Sequence, residues 1–341
     1  MKKEQSQPLF HLFKNRITWI ILSLLACLFM VTIVSLSVGS TYISPIEIWG
    51  HFLGQGGGEY DFTINMLRLP RLILAFLVGA ALSVSGLILQ SIIRNPLASP
   101  DIIGITAGAS VGAITFIVFF AGTISISWLP LVSMSGALVV AVLVYLLAWK
   151  QGVTPIRLVL VGIGIAAAMK AFVMMMIVVS ETAVTTKSYL WLTGSLYGAT
   201  MKDVIGILPW VVVFIPLAFL LARTIRVLEL GDELATSLGV NVQVIRFSLL
   251  FVSVVLAGSA VAFAGGIGFV GLIAPHIAKK LAPNVFHLLV PIAGLIGGLM
   301  VMVSDLIART AFLPLDIPAG VFTAGIGAPF FIYLLYRNRH M

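Results

Sequence analysis

Charge is what this sequence has least of. Asp, Glu, Lys and Arg supply 9% of its 341 residues, hydrophobic types supply 60%, and the mean hydropathy is +1.15. Soluble domains carry about 25% charged residues, so water does not solvate this chain and a string of soluble domains is excluded. An all-α integral membrane protein is expected. Ten spans of about 20 residues would take roughly 200 positions and leave about 140 for every loop and tail together. No loop can therefore hold a soluble catalytic domain. Cysteine is almost absent: Cys27 stands alone, which excludes a disulfide framework and a cysteine-based metal site. Acids are the scarcer sign, 12 against 20 Lys and Arg, for a net charge of +8. In a soluble protein that excess would suggest nucleic acid. Here the cations lie between apolar runs, where they set topology and meet lipid headgroups, so no nucleic-acid partner is expected.

Several chemistries are missing too. There is no H-E-x-x-H, no carboxylate pair at catalytic spacing and no G-x-x-x-x-G-K-[ST] phosphate loop. If transport here is driven by ATP, the ATPase is another chain. Gly266, Gly268 and Gly271 match the dinucleotide pattern, but no strand-turn-helix unit surrounds them and no acid follows about 20 residues later. Gly108, Ser110 and Gly112 match a nucleophile elbow, for which His276 could supply a base in an intramembrane serine hydrolase. In a chain with 32 glycines a packing seam is the simpler reading. No catalytic residue, cofactor or metal ligand is expected.

What is present is a series of apolar runs: residues 17–38, 72–93, 102–121, 129–149, 158–179, 204–222, 245–263, 265–277, 286–303 and 317–336. The eighth is short and Gly-rich, so the count needs a check from charge. Ten crossings with both ends in the cytoplasm place Lys2, Lys3, Lys14, Arg16, Arg94, Lys150, Arg157, Arg223, Arg226, Arg246, Lys279, Lys280, Arg337 and Arg339 inside, fourteen of the twenty cations. Arg68, Arg71, Lys187, Lys202 and Arg309 fall outside, and Lys170 falls within a span. That bias supports about ten transmembrane helices with both termini cytoplasmic. The basic start followed by an apolar run could be mistaken for a signal peptide, but a run of about 22 residues exceeds an h-region and reads as a retained helix. Small residues recur at helical spacing, as in Gly104, Gly108 and Gly112, Gly79 and Ser83, and Gly294 and Gly298, and let helices approach closely in lipid. A shift of 175 residues aligns Arg71 with Arg246, Leu74 with Leu249, Phe76 with Phe251, Leu97 with Leu272 and Pro100 with Pro275. The aligned helices run in opposite directions in this topology, as in an inverted internal repeat.

Three polar features ask for a reason. Lys170 stands mid-helix among alanines and methionines, and a cation in hydrocarbon costs at least about 2.5 kcal/mol. It faces a cavity or partner, or else snorkels outward or is satisfied by a neighbouring carbonyl. Arg68, Arg71 and Arg309 gather at the outer face against the inside preference of the other cations; they can receive carboxylates of a docking protein, or pair with Asp305 and Asp316 nearby. The longest cytoplasmic loop, 223–240, contains GDELATSLGV. Asp232 or Glu233 near a helix start, Ala235 and Leu238 on one face and Gly239 as a stop describe a short helix below the membrane. It can enter another protein's groove, or serve as an amphipathic connector.

The stretch RLPRLILAFLVGAALSVSGLILQSIIRNPLASPDIIGITAGASVGA at 68–113, the loop GDELATSLGV at 231–240, GGIGFVGLIAPHIAKK at 265–280 and IPAGVFTAGIGAPFFIYLL at 317–335 together resemble the FecCD-type permeases of ABC importers for iron-siderophores, haem and cobalamin. The likeness covers nearly the whole chain. It implies one transmembrane permease domain, residues 1–341, with a cytoplasmic coupling loop at 223–240, in the cell membrane. The implied partners are a second permease subunit, as a homo- or heterodimer, two cytoplasmic ATP-binding-cassette ATPases and an extracytoplasmic substrate-binding protein. The resemblance implies that Arg68, Arg71 and Arg309 receive glutamates of the binding protein. It makes Gly231, Asp232, Glu233, Ala235, Leu238 and Gly239 the coupling helix on the ATPase. Asn95, Leu97 and Thr154 fall at the family's cytoplasmic gate, and Trp191, Gly194 and Ser195 at a short helix bordering the outer cavity. Lys170, grouped with this path, has no counterpart in that pattern. The implied function is inward movement of a metal chelate, most simply a ferric siderophore. A proton-coupled carrier using Lys170 and Asp305, and the Ser110 hydrolase, are the competing readings.

Overall fold

The computed structural model describes residues 7–54, 58–120 and 122–337, with side chains from Arg16 onward. Lys2, Lys3, Ala121 and Arg339 of the readings above, and the side chain of Lys14, lie outside the described residues. The order is α1 (Gln7–Ser37), α2 (Pro45–Phe52), a π-helical turn (Phe62–Arg68) running into α3 (Leu69–Ile93), α4 (Ile105–Phe119), a 3-10 turn (Ile126–Trp128) running into α5 (Leu129–Ala148), α6 (Pro155–Val178), α7 (Thr182–Leu192), α8 (Met201–Leu220), α9 (Ala222–Glu229), α10 (Asp232–Ser237), α11 (Val242–Ala264), α12 (Val270–Leu281), α13 (Phe286–Thr310) and α14 (Ala319–Arg337). Each of the ten apolar runs is a helix. Among the described residues, eight segments are long and apolar enough to cross a bilayer.

The two short members of the set share one construction. α4 has 15 residues and α12 has 12, about 22 and 18 Å of helix against a hydrocarbon core of about 30 Å. Each follows a long buried helix and an irregular stretch. α3 stops at Arg94 in the left-handed region, Pro96 and Pro100 prevent its resumption, and Gly104, φ +83°, opens α4. α11 stops at Gly265, and Phe269, φ +66°, opens α12. The eighth run therefore starts its helix at Val270 and not at Gly265, because glycines at 265, 266 and 268 hold no helix. Non-helical backbone at this depth is tolerated where protein covers it, and Ala98, Ser99 and Ile267 are buried. Arg71 and Arg246 each stand near the start of a buried helix, as the 175-residue shift aligned them, but Pro100 lies in the irregular stretch while Pro275 lies inside α12. That register does not carry through to the short helices.

α3 is the hub, packed by α13, α11, α12 and α8, while α4 lies on α5 and α6 and α1 lies outside against α13. The apolar window of the α3 segment is 89% buried and that of α1 0%. Exposed Trp19, Phe29, Leu146, Ile156 and Ile205 form part of the apolar exterior, as suits lipid contact. Close approach depends on small residues. A Cβ on Gly86 would stand 1.8 Å from the Gly271 carbonyl oxygen, and one on Gly79 2.1 Å from that of Gly297. Buried hydroxyls tie the same seams: Ser83 Oγ donates to the Ala293 carbonyl at 2.7 Å, and the Ser85 and Ser253 hydroxyls meet at 2.8 Å. Outside the spans, Ser44 and Glu47 close a capping box on α2, and the hydrogen bonds from Ser44 hold the Glu47 carboxyl below its ordinary value.

Gly86→Val must separate α3 from α12, a backbone clash that no rotamer relieves. We expect it to lower stability in detergent by about 3 kcal/mol or more, while Gly325→Ala, where a Cβ would meet nothing within 4 Å, should stay within about 0.5 kcal/mol of the parent. Thermal melting of the two purified variants checks the contrast.

Candidate functional site

At one end of the bundle the three arginines read as a docking face are drawn inward. Arg68 ends the π-helical turn, and its guanidinium donates to the carbonyls of Leu36, Ser37 (3.1 Å) and Thr41. Arg309, in the last turn of α13, donates to the carbonyls of Ser35 and Val38 (3.0 Å) and to Ser35 Oγ at 2.8 Å. Both arginines thus satisfy carbonyls left open where α1 stops, which also suits the negative end of its dipole. Arg71 is different. Its Nε donates to both oxygens of Asp305 at 2.9 and 3.0 Å, and its two terminal nitrogens fork onto Asp316 at 2.6 and 2.9 Å. The Arg71 side chain is 11% exposed and that of Asp316, on the loop between α13 and α14, is 25% exposed. Arg309 Nε lies 4.0 Å from Asp305. Three cations and two acids leave one positive charge here.

The other end carries the short helix. Gly231, φ +114°, lets the chain turn out of α9, and Asp232 is the first residue of α10. Asp232 is held from two sides. Arg94, the residue that ends α3, donates to its Oδ1, and Arg246 of α11 donates to both oxygens at 2.8 and 2.9 Å. Arg246 is only 1% exposed and also donates to the Val153 carbonyl, while Gln243 pairs with the Val153 backbone at 2.9 and 3.4 Å. One aspartate thereby fastens α10 to the ends of α3 and α11 and to the loop before α6. Ala235 is buried, Glu233 is exposed, and the helix ends at Ser237 with Gly239 at φ +78°. The pairing of Ala235 with Leu238 on one face is corrected: Ala235 points into the bundle, and Leu238, 65% exposed, lies outward with Leu234 at 58%. Sequence reasoning also missed α9, whose Ala222, Ile225 and Leu228 are buried beneath exposed Arg223 and Arg226.

The gate and path residues occupy three places. Asn95 and Leu97 directly follow Arg94, the Asn95 side chain accepting from the Leu97 amide at 2.9 Å, and Thr154 directly follows Val153 at the start of α6. All three thus adjoin the attachments of Asp232. Trp191, Gly194 and Ser195 lie where α7 ends. There the Ser195 amide donates to the Ala264 carbonyl and the Gly320 amide to the Gly194 carbonyl, both at 2.9 Å. A Cβ on Gly265 would stand 2.1 Å from the Trp191 carbonyl oxygen, so α7, α11 and α14 meet backbone to backbone. Lys170 is exposed on α6, with its charge near Asp101.

The competing chemistries are not assembled. Ser110 Oγ donates to the Thr106 carbonyl of its own helix at 2.9 Å, and His276 packs edge-on against Phe330. Asp305 belongs to the Arg71 cluster and not to Lys170. Among the described residues no three His, Cys, Asp or Glu side chains gather where a metal could sit.

With this geometry in hand, likeness to known proteins is informative. The model of the FecCD transport family matches residues 27–337. The achromobactin transport system permease protein of Dickeya dadantii is 49% identical over 310 residues, covering 91% of this chain and 89% of that protein. The iron(3+)-hydroxamate import system permease protein of Bacillus subtilis is 42% identical over 314 residues, 90% and 94% of the two chains. A solved chain described as an inward-facing conformation of a metal-chelate type ABC transporter superposes with a TM-score of 0.82 at 29% identity, over 94% of this chain and 99% of the other.

The two Asp232 partners differ in what their loss leaves behind. Asp232→Ala strands the buried Arg246 cation and should cost about 3–5 kcal/mol. Arg246→Met removes the buried charge itself and leaves Asp232 paired with Arg94, so its melting temperature in detergent should fall distinctly less.

Proposed function

Because the chain belongs to the FecCD transport family, we propose that it is the membrane permease that carries a ferric chelate inward, receiving it from an extracytoplasmic binding protein and moving under the force of cytoplasmic ATPase chains. As a multi-pass permease of ABC-importer type it is a transporter subunit and not an enzyme, and the power comes from partners. The observation that carries the reading is α10: a helix clamped to the bundle through Asp232, with Leu234 and Leu238 left uncovered. An apolar ridge on a rigidly attached helix suits the groove of an ATPase, two of which would serve a pair of permeases. The second permease is a copy of this chain or a paralogue. Relatives are named for import of iron(3+)-hydroxamate and Fe(3+)-citrate, and that chemistry is the class proposed here.

The clamp supplies a route for force. A push on α10 reaches Arg94 and Arg246 through Asp232, and reaches Val153 through Arg246. Asn95, Leu97 and Thr154 adjoin those residues, so in this reading the cytoplasmic gate moves with the coupling helix, while Trp191, Gly194 and Ser195 border the outer cavity. At the outer end the binding protein meets Arg71. Arg68 and Arg309 are engaged by the end of α1 and hold Arg71 in a positive field; Asp316, the more exposed of its two acids, gives way to an incoming carboxylate. Docking is then an exchange of one carboxylate for another on the same guanidinium.

Two measurements test these parts. Leu234→Asp together with Leu238→Asp should abolish copurification of the ATPase from detergent extracts, and undiminished recovery would remove the coupling assignment. Asp316→Asn frees Arg71 for an incoming acid. It should tighten binding-protein affinity by about three- to tenfold in surface binding assays, in line with one charge-assisted bond. Unchanged or weaker binding would remove the exchange mechanism, and a gain cannot come from misfolding.

A further inference from the structure

The segment between the first two apolar runs is more than a connection, because it folds into α2 and the π-helical turn. α2 has three distinct sides. Ile48 is buried in a cluster with Leu36, Ile43 and Ile64. Glu47 and His51 lie along one edge, and Ile46, Trp49 and Phe52, with Leu53 just past the helix end, lie along the other. At about 100° per residue the apolar positions fill an arc opposite the two polar ones, with Ile48 between the edges. That arc is uncovered: Ile46 is 83% exposed, Trp49 64% and Leu53 57%. The π-helical turn repeats the pattern, with Ile64 buried and Phe62 and Met66 exposed. The His51 ring closes the polar edges on each other, its Nδ1 standing 2.8 Å from an Asp61 carboxylate oxygen and its Nε2 3.3 Å from Asn65 Oδ1. The large apolar side chains of both elements, and exposed Tyr42 before them, are left without cover.

The depth of this surface follows from α1. Its apolar stretch, Arg16–Ser37, has 22 residues, about 33 Å of helix against a hydrocarbon core of about 30 Å, so Leu36 and Ser37 stand at one edge of that core. Ile48 and Ile64 share a cluster with Leu36, and Arg68 fastens the π-helical turn to the Leu36 and Ser37 carbonyls. α2 and the turn are thereby held at the hydrocarbon boundary. They also touch α1, the span whose apolar window is 0% buried and whose Met30 and Val34 are exposed toward this end. The uncovered face thus continues the lipid-facing exterior. Trp and Tyr, here Trp49 and Tyr42, are the aromatics that favour the headgroup level.

We propose that α2 and the π-helical turn form an interfacial foot whose partner is the bilayer itself: Ile46, Trp49, Leu53, Phe62 and Met66 enter the boundary between headgroups and acyl chains, and Glu47 and His51 face water. A helix lying in the plane of the interface presents such a division of its sides. The foot has a structural consequence, because Arg68 ends the turn and Arg71 follows three residues later. Lipid contact then sets the level of Arg71 and withdraws this apolar face from the surfaces offered to a docking protein. The import reading makes the leaflet the outer one; the contact with lipid does not depend on that reading.

The test is spin-label accessibility in the full-length protein held in lipid nanodiscs. Cys27 is exposed, so a Cys27→Ser background receives one label at a time through Ile46→Cys, Trp49→Cys, Leu53→Cys or Met66→Cys. Phe29→Cys on α1 is the lipid reference and Glu59→Cys, on the loop between the two elements, the water reference. Collisions are measured with oxygen, which concentrates in hydrocarbon, and with a water-soluble nickel chelate, which is excluded from it. The oxygen-to-nickel ratio at 46, 49, 53 and 66 should exceed that at 59 by at least about threefold, as burial of an apolar face in the interface requires, and approach that at 29. A ratio equal to that at 59 places the face in water and overturns the foot. Low accessibility to both reagents shows that protein, such as a second copy of the chain, covers the face, and overturns it equally. The four labelled side chains are all exposed, so each single replacement spares the core, and each position reads the face independently of the others.

Discussion

Hydrocarbon offers a charge no partner, and the few charges lodged in this bundle are arranged around that fact. At each end one aspartate bridges two arginines from different places in the fold. Asp305 lies between Arg71 and Arg309, and Asp232 between Arg94 and Arg246. The arginines in turn satisfy backbone carbonyls that would otherwise stay open, at the end of α1 and at Val153. Removing one member of such a set leaves a buried charge without compensation, which costs more than the set contributes by forming. The clusters therefore fix geometry more than they add stability.

That fixity determines where the protein can move. α3 and α11 touch through buried serine hydroxyls, and α3 meets α12 and α13 through bare backbone at Gly86 and Gly79, so these helices cannot flex independently without opening a seam. Packed elements of this kind shift between discrete arrangements. The stretches free to re-aim are the irregular ones, 94–104 and 265–269, and both lie directly after a helix whose charged or glycine terminus is tied to another element. A force applied at Asp232 acts on the first of them through Arg94. The second meets the end of α7 at Gly194 and α14 at Gly327, so movement there changes the border proposed for the outer cavity.

Much of this was legible without coordinates. Apolar runs located ten helices because hydropathy over some 20 residues, as lipid requires, is a strong signal. The start of α12 was misplaced because Gly265, Gly266 and Gly268 are apolar enough to extend the run and too flexible to continue the helix. α9 was missed because its face of Ala222, Ile225 and Leu228 is broken by cations that read as topology markers. The error at Ala235 and Leu238 has a similar cause: in a six-residue helix one position past the end reverses a side chain from inward to outward. Arg94 and Arg246 were counted as cytoplasmic charges, and nothing local announces that both reach Asp232. Only the 175-residue echo of Arg71 in Arg246 hinted that the second arginine had a structural counterpart.

The two ends differ in a way that bears on how partners would be held. At the α10 end, Leu234 and Leu238 are already exposed, and covering each returns about 1.5–3 kcal/mol with nothing displaced. At the Arg71 end every guanidinium is already engaged, so an incoming carboxylate must replace Asp316, and one charge-assisted bond is exchanged for another with little net gain. Addition of apolar area favours lasting association; exchange of equivalent ion pairs favours rapid release. In the proposed assembly this matches the needs of the two partners. The ATPases transmit force on every cycle and should stay seated, whereas a binding protein that has delivered its chelate must leave before a loaded one can take its place.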